Sequence, residues 1–142
     1  MSENAFVHLR VRTAWSLLQS TVRVDRLVAA CREARMPAVA MTDEAALFGG
    51  YDFGNKVAEA GIQPIVGCLV PVEVARTPRD EPITGLVTLL CQNAAGYGSL
   101  LELLSAAYLE GEVREVRVTA DRLAAHNEGL LLLTGGPEGA LG

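Results

Sequence analysis

Residues 6–11 alternate. Val7, Leu9 and Val11 fall on one face, and His8, Arg10 and Arg12 on the other, the period-two pattern of a strand with one apolar face. Residues 24–35 then place Leu27, Val28 and Cys31 at helical spacing and stop at Met36-Pro37, where proline ends a helix. Residues 38–41 form a short apolar run, read as a buried strand, and residues 45–60 are helical in outline up to Gly61, which suits a C-terminal cap. Residues 65–74 are β-branched and apolar, a strand or two. Residues 76–82, Arg-Thr-Pro-Arg-Asp-Glu-Pro, form the clearest loop, and residues 86–91 a further strand. A helix over 98–108 shows a broad leucine face. Thr119 or Asp121 can cap a short helix through His126, and Leu130–Leu133 reads as a last buried strand before the turn at 135–139.

Short apolar strands alternating with helices predict an α/β fold of parallel βα repeats, with helices packed on a parallel sheet and right-handed crossovers. At 142 residues the chain is one domain or part of one, able to bury about two thirds of its unfolded surface. The pattern stops just where another helix is expected, so the architecture looks unfinished. No internal repeat or low-complexity tract stands out.

Composition narrows the chemistry. The net charge is -5 and, of twelve basic residues, only Lys56 is a lysine, a poor make-up for broad sequence-independent nucleic-acid binding. Cys31, Cys68 and Cys91 are odd in number and form no C-x-x-C, which argues against a disulfide framework or zinc ribbon and for reduced thiols in the cytoplasm. Neither a signal peptide nor a membrane-spanning run is visible. Phe48-Gly49-Gly50 and Gly135-Gly136-Pro137 match no phosphate loop, His126 reads as surface, and Ser16, Ser20 and Ser99 have no His or acid at triad spacing.

In α/β folds of this kind, chemistry gathers at the carboxyl ends of strands. There the sequence offers Arg10 and Arg12 on one strand, and Asp43 and Glu44 at the end of the next. The charged face of that strand reads either as solvated or as turned into a cleft; in a cleft the guanidiniums need acidic partners, and these four residues are then expected to form a charge cluster.

Several segments carry a family resemblance. Phe6-Val7-His8-Leu9-Arg10-Val11-Arg12-Thr13 with Ser16-Leu17-Leu18, Met36-Pro37-Ala38-Val39-Ala40-Met41-Thr42-Asp43, Leu47-Phe48-Gly49 and Ala60-Gly61-Ile62-Gln63-Pro64-Ile65-Val66-Gly67 resemble, in that order, the opening of bacterial DNA polymerase III alpha subunits. Ala107-Tyr108-Leu109-Glu110-Gly111 and the run from Glu128 to Gly136 continue the likeness. That family begins with a PHP (polymerase and histidinol phosphatase) domain, a distorted seven-stranded βα barrel, and residues 1–142 would be its first part. The resemblance implies a parent chain that synthesises DNA in replication with Mg2+ in its polymerase part, and this segment as a structural or exonuclease-docking scaffold.

Metal-binding PHP domains have a His-x-His pair where this chain has Arg10 and Arg12. They have an acid at Gln19, a His at Glu44, an acid near Leu69 and a His near Leu86, and only Asp43 keeps the family identity. Guanidiniums cannot ligate a cation. The resemblance therefore implies a degenerate metal site, no cofactor and no catalytic residue in this segment. Expected partners are the remainder of the alpha subunit, the proofreading exonuclease subunit and, through the parent, DNA, with no membrane. The uncovered edges of a partial barrel predict self-association. The competing readings are a divergent PHP-type metal-dependent phosphoesterase and the error-prone polymerase paralogue.

Overall fold

The computed structural model describes residues 6–111 and 115–140, in two compact units divided after Cys68. Its elements run α1 (Val24–Glu33), β1 (Ala38–Glu44), α2 (Gly50–Glu59), β2 (Gln63–Arg76), β3 (Pro82–Cys91), α3 (Ala94–Glu110), β4 (Val118–Thr119), α4 (Ala120–Ala125) and β5 (Leu130–Leu133), followed by a 3-10 turn over Gly136–Glu138.

In the first unit, α1 and α2 close over β1. Val24, Leu27 and Cys31 of α1 meet Phe53 and Val57 of α2, Val39 and Met41 of β1, and Ile62. Phe53, Val39, Met41 and Val57 are fully buried. At about 25 cal/mol per Å² of apolar surface removed from water, such side chains supply most of the driving force for this unit. Lys56 ties the helices together on the outside, with Nζ 2.8 Å from Asp25 and 3.0 Å from Asp52.

The expected strand over 6–11 is only partly realised. His8 bridges Val39 in parallel, with the Ala40 amide donating to the His8 carbonyl, but the next bond runs from the Thr42 amide to the Val11 carbonyl. Three steps on the first segment thus match two on β1. The extra residue leaves the Val11 amide without a backbone acceptor, and the Thr42 hydroxyl accepts it at 2.8 Å. This slip breaks the predicted alternation: Leu9 is exposed, while Val11 packs on the core. α2 also begins later than its periodicity suggests. β1 runs on to Glu44, Ala45 turns with φ 50°, and the helix opens only at Gly50.

In the second unit the sheet is mixed rather than wholly parallel. β4 pairs with β2 in parallel, Val72 opposite Val118, but β5 pairs with β3 antiparallel, Leu90 opposite Leu131. The 77–81 turn joins β2 to its neighbour β3 directly, with the Thr77 amide donating to the Glu81 carbonyl, so no helical crossover separates them. The loop expected over 76–82 is thus the tip of a hairpin. Leu100, Leu103, Leu104 and Ala107 of α3 are buried in this unit with Val87, Leu89 and Leu90 of β3. β5 is less buried than its four leucines suggest, because it lies at the end of the strand order and Leu131, Leu132 and Leu133 stay partly exposed. The Asn93 side chain caps α3 by accepting from the Gly96 amide at 3.0 Å, and the Thr119 side chain caps α4. No helix among the described residues is long and apolar enough to cross a membrane.

Two glycines two residues apart in α3 should respond oppositely to a methyl group. A Cβ on Gly96 would lie 2.0 Å from the Gly129 carbonyl oxygen, whereas one on Gly98 meets nothing within 4 Å. Gly96→Ala is expected to destabilise by about 2 kcal/mol through overpacking. Gly98→Ala is expected to stabilise by about 0.5–1 kcal/mol through lost unfolded-state freedom. Urea denaturation of the two variants checks both signs.

Lys56 also holds the Asp25 carboxyl below its ordinary range, by hydrogen bond and by charge. A carboxyl depressed on folding contributes stability above its unfolded pKa, and that contribution is lost as pH falls through the lower folded value. NMR titration should therefore find Asp25 titrating below a normal aspartate, and Lys56→Met should move it back up.

Candidate functional site

β1 carries its polar residues at its carboxyl end, Thr42, Asp43 and Glu44. Asp43 is fully buried. A carboxylate in that position is tolerated only if its oxygens are hydrogen-bonded or paired. The chain meets this demand from one short stretch. The Thr13 amide donates to Oδ1 at 2.6 Å, the Thr13 hydroxyl to Oδ2 at 2.7 Å and the Ser16 hydroxyl to Oδ1 at 2.7 Å. The Cys68 thiol donates to the Asp43 carbonyl at 3.1 Å.

These bonds fasten the base of a loop over residues 14–22. Its neck is closed by the Ala14 amide donating to the Val22 carbonyl at 2.7 Å, and the Ser20 hydroxyl donates to the Arg12 carbonyl at 2.7 Å. The Trp15 ring lies against Gly49, where even a Cβ would come within 2.3 Å of it. At the far end Leu18 adopts φ 63°, a left-handed conformation unusual for a leucine.

Beside Asp43, Arg12 Nη2 donates to Glu44 Oε2 at 2.9 Å, with the two side chains 30% and 27% exposed. Arg12 Nε is buried without an acceptor among the described residues. Of the four residues expected to cluster, the structure pairs Arg12 with Glu44. Asp43 takes its donors from Thr13 and Ser16, and the Arg10 side chain is exposed. Gln19 is exposed in the 14–22 loop. In the second unit Leu69 is fully buried and Leu86, half-buried, forms a bridge to Gly139.

Thr13 and Ser16 are the residues that sequence reasoning missed. Triad spacing does not single out Ser16; the signal in the sequence is the run of hydroxyls at 13, 16 and 20 following the strand.

The donor set does not fit a divalent cation. Among the described residues no group of three or more His, Cys, Asp or Glu side chains converges. Both Asp43 oxygens already accept hydrogen bonds, and Glu44 is committed to a guanidinium. What the arrangement can do is hold a loop: a buried acceptor fixes its base, and a half-exposed ion pair lies alongside.

The two interactions should differ in weight. Asp43→Ala would strand three donors and is expected to cost about 3–4 kcal/mol. Arg12→Ala breaks a partly solvated pair and is expected to cost about 1 kcal/mol or less. Thermal melting of both variants checks the ranking, and an Arg12→Ala loss equal to that of Asp43→Ala would contradict it.

Comparison with known proteins places this geometry in a lineage. The chain is 42% identical over 137 residues to the DNA polymerase III subunit alpha of Caulobacter vibrioides, an alignment covering 94% of this chain and 12% of that protein. It is 37% identical over 139 residues to the same subunit of Pseudomonas aeruginosa, covering 97% and 12%. The chain thus spans about an eighth of the length of these relatives. Among solved structures, an amidohydrolase from Chromobacterium violaceum superposes with a TM-score of 0.54 at 17% identity, over 71% of this chain and 32% of that one, a likeness of fold. The family model described as the PHP domain matches residues 8–142, from the segment that bridges β1 to the last residue. With nearly its whole length inside that match, the chain belongs to the PHP domain family.

Proposed function

We propose that the chain is the N-terminal PHP segment of a replicative DNA polymerase III alpha subunit, and that it serves its parent as a scaffold rather than as a hydrolase. One observation carries the reading: the likeness to alpha subunits runs through 94% of this chain, while Asp43, the buried acid of β1, has both oxygens engaged by Thr13 and Ser16. In this reading the expected cluster of Arg10, Arg12, Asp43 and Glu44 is reduced to the Arg12–Glu44 pair beside a hydrogen-bonded Asp43, and that pair helps to join the first segment to the end of β1. The segment needs no cofactor. DNA synthesis, with its Mg2+, belongs to the polymerase part of the parent, which works in the cytoplasm and reaches DNA through its other domains. The scaffold docks the separate proofreading exonuclease subunit, and the isolated segment self-associates.

Two measurements test this. The full chain should extend a primed template with deoxynucleoside triphosphates, and failure to do so overturns the polymerase assignment. The 142-residue segment should release no phosphate from p-nitrophenyl phosphate in the presence of Mn2+ or Zn2+, and its melting should be unmoved by EDTA. Chelator-sensitive turnover would favour instead a PHP-type phosphoesterase.

A further inference from the structure

The first unit exposes a cluster of large apolar side chains that neither its core nor its ion pairs use. Trp15, Leu17, Leu18 and Val22 on the 14–22 loop are exposed, as are Phe48 just before α2 and Tyr51 in its first turn. The Trp15–Gly49 contact joins the two groups, and Trp15 and Leu17 line a shallow cleft of about 380 Å³ with Asp52 and Lys56. Leu18 is fully exposed in a left-handed conformation, so the chain carries both a hydration and a backbone cost at the tip of a loop whose base is fixed through Asp43. Aromatic side chains held on a fixed loop are the composition of an interface centre.

The surroundings indicate the occupant. The charges lining the cleft are Arg23 and Lys56 against Asp25 and Asp52, and they already pair with one another, Lys56 at 2.8 Å and 3.0 Å from the two aspartates. No net charge is left to draw in a nucleic acid or a strongly charged partner. Interfaces rich in apolar surface and poor in unpaired charge are those of permanently joined partners, while transient subunit contacts are more polar. The relatives supply such a partner, since this chain spans 12% of their length. We infer that the face formed by the 14–22 loop and the start of α2 is an intramolecular docking surface, covered by the portion of the same parent chain that follows residue 142. The inference rests on the polymerase assignment made above.

Cysteine accessibility in the full chain tests it. Leu18→Cys places a thiol at the exposed tip and Arg79→Cys supplies an exposed control on the 77–81 turn; the native Cys31 and Cys68 are buried, and the partly exposed Cys91 is replaced by serine in both variants. In the full chain alone, a maleimide reagent should label Leu18→Cys at least tenfold more slowly than Arg79→Cys. Equal labelling in a chain that still extends primers overturns the inference while leaving the polymerase assignment intact. Protection that appears only after adding the exonuclease subunit, or only as protein concentration rises, also overturns it, in favour of a separate partner or a second copy. Failure of primer extension would instead strike the assignment on which the inference rests.

Discussion

The first unit turns on a fully buried carboxylate near the end of β1, whose hydrogen bonds come from one neighbouring segment. Asp43 stands next to last in a strand whose other residues are almost all inside, so its oxygens have to be satisfied locally, and the 13–16 segment does so with one amide and two hydroxyls. Everything near the strand ends follows. The donors must come from a tight turn, the turn draws the 14–22 loop close, and the closed neck sends Leu17 and Leu18 outward. Because the cost of stranding such a carboxylate exceeds the strength of any one surface contact, the loop geometry is set by Asp43 and only trimmed by Arg12 and Glu44.

That arrangement explains how a PHP fold can stand with the residues this chain has. Among the described residues, hydrogen bonds from the 13–16 segment to Asp43 and the Arg12–Glu44 pair connect the first segment to the end of β1. The second unit shows a parallel economy in a different place. Glu73 on β2 accepts from Arg117 Nε at 3.0 Å and from Arg76 Nε at 2.6 Å, so one carboxylate joins the end of its own strand to the approach to β4. The exposed Arg76 arm contributes little, whereas the Arg117 arm is largely shielded from water and fixes which side chains lie together.

Much of this was legible in the residues. The α1 stripe of Leu27 and Cys31, the punctuation at Pro37, the 76–82 loop and the Thr119 cap all appear as local patterns, and local patterns are what sequence periodicity reports. Three things were not legible. The extra residue between His8 and Val11 is invisible because alternation looks the same whether or not a partner strand keeps step. The antiparallel partner of β3 follows from a hairpin that periodicity does not distinguish from a βα connection. At the site, charge suggested arginines for Asp43, yet its recorded donors are the smaller Thr13 and Ser16, which fit a fully enclosed carboxylate where a guanidinium would bring five donors needing acceptors.

The slip between the first segment and β1 also sets the aim of the anchoring turn. Residues ahead of it and behind it are one step out of parity. Losing the extra residue would restore plain alternation and turn the Thr13 hydroxyl away from Asp43, so a single inserted position decides which face the anchor presents.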